Sequence, residues 1–140
     1  MPMNLRFVSG LSLALIAGLT SACGEPEVSN LTYVEVRDAA HGKDAAAYRS
    51  YFKDIKGKRV AWSGRVVEVK TEHGDEFVEI SALVVDLDDA APEEDAVFQV
   101  SASTAEDMVA GREVKFTALI QDFEWAKQRP LLRLDVKDVD

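Results

Sequence analysis

The chain has 140 residues, 47% of them hydrophobic, and one cysteine. That length holds one domain and a short leader, and a lone cysteine excludes an intrachain disulfide or a multi-cysteine metal site. Sixteen basic residues against 25 acidic ones give a formal charge of −9, a field that draws neither nucleic acid nor an anionic membrane to the protein as a whole.

The first 22 residues read as an export signal. Met1 to Arg6 is short and weakly basic, Phe7 to Leu19 is apolar, and Thr20-Ser21-Ala22 is small. The apolar run is too short for a comfortable membrane-spanning helix, and the order basic, apolar, small is that of a secretory signal. The segment Leu19-Thr20-Ser21-Ala22-Cys23 resembles a bacterial lipobox, with Thr20 where an aliphatic residue is usual. The resemblance implies that Cys23 becomes the first mature residue and carries lipid. The acyl chains would hold the protein on a membrane by burying many methylenes. Gly24 in the following position resembles lipoproteins sorted to the outer membrane, which implies a domain facing the periplasm of the cell envelope. Loss of Arg6 with the leader leaves a charge of −10.

Residues 23–43 read as the lipidated cysteine, a polar linker and a lead-in. Gly24 to Asn30 is polar and contains Pro26, as a flexible tether does. Thr32 to Arg37 has the look of a short strand or extended lead-in.

A single domain is expected over residues 44–140. Asp44 is a good N-cap for Ala45 to Ile55, and Tyr48, Tyr51, Phe52 and Ile55 fall on one helical face. This stripe is expected to plug one end of a barrel. Gly57 stops the helix. The first strand, Lys58 to about Lys70, alternates through Val60 and Trp62, then changes phase so that Val67 and Val69 take the apolar positions. A phase change at Gly64 predicts a β-bulge there, and the phase of Trp62 places it in the core. A turn at Thr71 to Asp75 leads to a strand over residues 76–85. The acidic loop Asp86 to Asp95 and a short strand, Ala96 to Val100, follow. Ser103 with Glu106 is read as a capping box opening a helix of about two turns closed by Gly111. A strand at Glu113 to Gln121, a loop at Phe123 to Pro130 and a strand at Leu131 to Val139 complete the chain.

The order strand, strand, strand, helix, strand, strand predicts a mainly β five-stranded OB-fold, a Greek-key barrel, with an N-terminal helix and a short helix between strands 3 and 4. The residues Phe52-Lys53-Asp54-Ile55-Lys56-Gly57-Lys58-Arg59-Val60, Ser63-Gly64-Arg65-Val66 and Ala110-Gly111-Arg112-Glu113-Val114-Lys115-Phe116 resemble the bacterial tRNA_anti-like OB-fold family of envelope proteins. That family carries no settled activity and lends no catalytic residues.

Chemistry is sparse. There is no Gly-x-Ser-x-Gly elbow, phosphate-cradling glycine loop or His-Glu-x-x-His, and the two histidines, His41 and His73, would leave most ligands of a zinc site to carboxylates. No enzyme activity and no cofactor are expected. His73 sits beside Glu72 and Asp75 in the turn between strands 1 and 2, which also flanks the OB-fold ligand face, so it is a candidate ligand-binding or proton-transfer residue, although a solvated histidine is the ordinary case. Asp86, Asp88, Asp89, Glu93, Glu94 and Asp95 offer hard oxygen ligands for calcium, but EF-hand spacing is absent and Pro92 interrupts them. Phe123, Trp125, Lys127 and Arg129 put flat apolar surfaces beside positive charge, a combination that stacks on bases or sugars and holds an anion. They stand in the loop between strands 4 and 5, one of the loops that flank the OB-fold ligand face.

The expected function is that of a membrane-anchored periplasmic lipoprotein whose OB-fold domain is a non-catalytic binding or assembly module for an envelope protein, peptide or glycan. A single-stranded nucleic-acid-binding domain is the rival, opposed by the export signal and the acidic charge. A calcium-binding structural protein is a third reading.

Overall fold

The structure is a computed structural model that describes residues 26–73, 79–88 and 93–140, without the side chains of residues 72 and 73. The expected leader, Cys23 as the expected lipidation site, Asp89 and the His73 side chain lie outside the described residues.

The chain enters beside the barrel. Val28 forms a parallel bridge with Arg59, and the Ser29 amide donates to the Arg59 carbonyl at 2.7 Å. Where the valines of Thr32 to Arg37 suggest extended backbone, a helix forms: α1 (Tyr33–Asp38). Its start explains the difference. The Thr32 hydroxyl accepts from the Glu35 amide at 3.2 Å, and the Glu35 carboxylate accepts from the Thr32 amide at 2.8 Å. This reciprocal pair satisfies amides that a helix start leaves open. Tyr33 and Val36, three residues apart, turn inward together.

The second helix, α2 (Ala45–Ile55), begins where its N-cap predicts, with the Asp44 side chain accepting from the Ala47 amide at 2.8 Å. Tyr48, Phe52 and Ile55 are buried and Tyr51 is half-buried, so the aromatic stripe is packing surface. Gly57 adopts a φ of 84°, a left-handed conformation that an L side chain resists, and its amide reaches the Ile120 carbonyl at 2.8 Å.

Five strands follow: β1 (Arg59–His73), β2 (Glu79–Asp86), β3 (Ala96–Val100), β4 (Glu113–Ala126) and β5 (Arg129–Val139), with α3 (Ala102–Glu106) between β3 and β4. They close in the order β1-β2-β3-β5-β4, all neighbours antiparallel except β3 and β5. This is the OB-fold barrel expected from the element order. Its core is filled by alternate residues of every strand, among them Val60, Trp62, Val66, Leu83, Val85, Phe98, Phe116, Ile120, Leu132 and Leu134.

Three local expectations are corrected. The bulge in β1 lies between Val66 and Glu68, three residues after Gly64. Val60, Trp62, Gly64 and Val66 keep one phase, Val67 is the extra residue, and Val69 then pairs with inward-facing Leu83 while remaining 40% exposed. Gly64 serves a different purpose. A Cβ there would stand 2.5 Å from the Asp86 carbonyl oxygen and 2.8 Å from Leu87 Cδ2. In the second correction, the cap of α3 is Ser101, whose hydroxyl accepts from the Thr104 amide at 3.2 Å, and the helix has five residues. A serine two positions earlier wins because Ser101 keeps extended backbone while Ser103 is already helical.

The third correction concerns the segment 123–130. It is a hairpin rather than a loop: β4 runs on to Ala126, β5 starts at Arg129, and Trp125 pairs with Pro130. Lys127 and Gln128 make the two-residue turn with φ values of 52° and 63°. Positive φ at both central positions is the geometry that suits the twist of paired strands. Neither residue is the Asn or Gly that announces such a turn.

Trp62 fastens the N-terminal segment to this barrel. It is 9% exposed, meets Tyr33 edge-on at 5.8 Å between ring centroids, and donates from Nε1 to the Leu31 carbonyl at 2.9 Å.

Candidate functional site

The outer face of β2 and β3 is where an OB-fold ordinarily meets its ligand. Here it is small and aliphatic. Ala82, Val84 and Val97 form a second buried cluster with Val67 packed on it. Lys70, Glu68 and Arg133 stand opposite these three in the strand register. Lys70 pairs with Glu68 at 3.0 Å and Arg133 with Glu124 at 2.7 Å. Among the described residues of β2 and β3 the one aromatic is Phe98, which is in the core. Its described residues therefore present matched charges and no stacking platform.

A different concavity lies where the α1–α2 segment meets the β4–β5 hairpin. It is a groove of about 690 Å³. Tyr33, Ala40, Trp125 and Pro130 supply its apolar surface, and Arg37, His41, Lys43, Gln128 and Arg129 its polar rim, together with Asp38 and Asp44. Trp125 is half-buried and leans on Tyr48, ring centroids 5.6 Å apart. Lys43 Nζ stands 5.2 Å from the centre of the Tyr51 ring, an attraction between cation and ring quadrupole that positions the ammonium at the groove's edge.

The guanidinium groups of this rim are balanced. Arg37 reaches Asp88 at 3.1 Å and Asp38 at 3.2 Å. Arg129 pairs with Glu93 and with Asp95, and donates to the Glu94 carbonyl at 3.2 Å. Asp95 is fully buried. One of its oxygens takes the Arg129 guanidinium and the other accepts from the Leu87 amide at 2.7 Å. Burial raises the Asp95 acid, the Leu87 amide opposes that, and the Asp86 carboxyl hydrogen-bonded to it adds to the rise; the outcome is about 7. Tyr33, beneath the same groove, has its phenol pushed up by burial and by the Asp95 charge.

The structure separates the sequence-predicted residues. Phe123 is buried against Phe52 and Tyr48, 4.8 and 4.9 Å between ring centroids. The Arg49 guanidinium also lies over this ring, at 5.0 Å. Trp125 and Arg129 share the groove. Lys127 lines a neighbouring depression of about 480 Å³ across the hairpin, with Val67, Glu93 and Glu94. Asp86, Asp88 and Asp95 come together with carboxylate oxygens within 4.8 Å of one another. Both Asp95 oxygens already accept hydrogen bonds, Glu93 is held by Arg129, and Glu94 lies 4.0 Å from Lys70.

Sequence reasoning missed the α1 side of the groove: Tyr33, Arg37, His41 and Lys43. The signal was present in Thr32-x-x-Glu35, a capping box, and in the spacing of Tyr33, Val36 and Ala40 along one helical face.

No family model matches the chain, and no curated protein matches it in sequence. Among solved structures it is similar to a lipoprotein from Klebsiella pneumoniae subsp. pneumoniae named as a candidate nucleic acid-binder. The TM-score is 0.54 at 14% identity, over 79% of this chain and 92% of that one. At that identity the likeness is one of fold.

Proposed function

We propose that this protein is a cell-envelope lipoprotein, anchored through Cys23, whose OB-fold barrel is a non-catalytic binding module. Its ligand seat is the groove between the α1–α2 segment and the β4–β5 hairpin. The fold shared with a lipoprotein and the lipobox-like Leu19 to Cys23 support the anchored reading. They are also in keeping with the resemblance to the tRNA_anti-like envelope proteins. No helix among the described residues is long and apolar enough to cross a membrane.

The observation that carries the binding reading is the groove's composition: an aromatic floor of Tyr33 and Trp125 under a rim whose guanidinium groups already have carboxylate partners. Such a surface stacks on a flat or ring-shaped group and offers planar hydrogen-bonding partners, without the excess positive charge that a phosphate chain requires. The ligand class it supports is an envelope peptide, protein or glycan. A photoreactive amino acid placed at Gln128 in intact cells tests this. Irradiation is expected to yield an adduct that the same probe at Lys115, outside the groove, does not give. Absence of a groove-specific adduct would sink the reading.

Single-stranded nucleic acid is the second reading, favoured by the name of the Klebsiella protein. The paired cations of the β2–β3 face, and the lack of an exposed aromatic among its described residues, weigh against it. Oligonucleotide titration at low salt separates the two, since salt-sensitive quenching of Trp125 is expected only if phosphates bind.

A further inference from the structure

The tether and a group of unpaired lysines meet at one end of the barrel. Cys23 precedes Val28 by five residues, and Val28 is bridged to Arg59 at the start of β1. Five Cα–Cα steps reach at most about 18 Å even when fully extended. A lipid on Cys23 therefore cannot let the barrel drift far from the bilayer, and the end of the barrel at Arg59 must lie close to it.

That end is where uncommitted positive charge collects. Arg37, Arg65, Lys70, Arg129, Arg133 and Lys137 each pair with a carboxylate. Lys43 and Arg49 lie on aromatic rings, and Arg112 donates to the Asp107 carbonyl. Among the described residues, Lys53, Lys56 and Lys58 take no such partner, and all three are exposed. Lys115 and Lys127 share that state, but each stands singly along the chain. Lys53 and Lys56 are three residues apart at the C-terminal end of α2, so they are neighbours on its surface. Lys58 directly precedes Arg59. Asp54, between Lys53 and Lys56, and Glu27, next to Val28, are exposed and take no ion pair either.

We propose that Lys53, Lys56 and Lys58 form a membrane-facing surface that seats the barrel on the anionic phospholipid headgroups of the bilayer holding Cys23. The proposal rests on the anchored reading above. In an acidic protein the remainder of the surface is repelled by those headgroups, so the lysine end is drawn to them and the barrel takes one orientation.

The test uses the full lipidated protein, reconstituted into vesicles of phosphatidylethanolamine with phosphatidylglycerol and into vesicles of phosphatidylcholine alone. Lysines are labelled with a water-soluble amine reagent and read by mass spectrometry. Lys56 and Lys58 are expected to react about five-fold more slowly on the anionic vesicles, the effect of one lysine's attraction to such a surface, and to recover at high salt. Lys115, opposite Ser63 and so further along β1 from Arg59, is expected to react equally on both. Equal reactivity of Lys56 and Lys58 on the two vesicle types overturns the headgroup seat; if the intact mass still carries acyl groups on Cys23, the anchored reading stands. An unmodified Cys23 in protein taken from its membrane removes both.

Discussion

Gly57 stands just before β1 and Gly64 within it, and the same substitution is expected to fail at each for a different reason. At Gly64 the constraint is space. An added Cβ would meet the Asp86 carbonyl oxygen at 2.5 Å and Leu87 Cδ2 at 2.8 Å. The leucine methyl can move, but the carbonyl belongs to the end of β2, whose pairing with Arg65 in β1 is part of the barrel ladder. Ordinary contact begins at 3.4 Å, so that backbone must move by about 0.9 Å. Overpacking of this kind costs about 1–3 kcal/mol. At Gly57 the surroundings are open, with nothing within 4 Å of an added methyl, and the cost comes from φ alone, at 84°: about 1–2 kcal/mol for alanine. Asparagine separates the two, because it tolerates left-handed backbone. Gly57→Asn is expected to recover most of the loss, whereas Gly64→Asn is expected to be worse than Gly64→Ala. Urea unfolding followed by circular dichroism, at constant slope, measures all four variants. The reasoning is refuted if Gly64→Ala unfolds within about 0.5 kcal/mol of the wild type, or if asparagine rescues position 64.

Asp95 sets a pH dependence. Its acid is raised to about 7 in the fold from the ordinary 3.8, first by burial. Between these values the folded protein holds a proton that the unfolded chain has released, so stability falls as pH rises from about 4 to about 7. The interval corresponds to on the order of 4 kcal/mol at most, and urea midpoints at pH 5 and pH 8 read it; Asp95→Asn is expected to flatten this difference, and a variant that parallels the wild type would refute the assignment. Phe123→Ala removes a buried ring between Tyr48 and Phe52, and a loss of about 3–5 kcal/mol is expected. Trp125→Ala, at a half-buried position, is expected to cost less than half of that while abolishing the groove adduct at Gln128; equal losses would return Trp125 to the core. Replacing Lys127-Gln128 by Asn-Gly relieves two left-handed non-glycine residues and is expected to raise stability by about 1–2 kcal/mol, seen as a higher melting temperature.

Some features of this protein are written in single stretches of chain. Asp44 and the spacing of Tyr48, Phe52 and Ile55 define α2 because helix capping and a 3.6-residue period are local properties. Alternation in the strands, with a helix between the third and fourth, specifies the barrel, since a sheet buried on one face has few ways to close. The inward phase of Trp62 was legible for the same reason. Other features depend on what distant segments bring to one another. The bulge falls at Val67 rather than at glycine because its place is set by the register between β1 and β2, and Gly64 is required by a contact with Asp86 and Leu87 more than 20 residues away. The hairpin at Lys127-Gln128 lacks turn residues and is held by its long flanking ladder. The groove needs α1 on one side and that hairpin on the other, so no run of sequence contains it. The charges of Arg37 and Arg129 look available along the chain and are matched in space by Asp88 and Asp95, because pairing depends on distance through the fold and not on separation along the sequence.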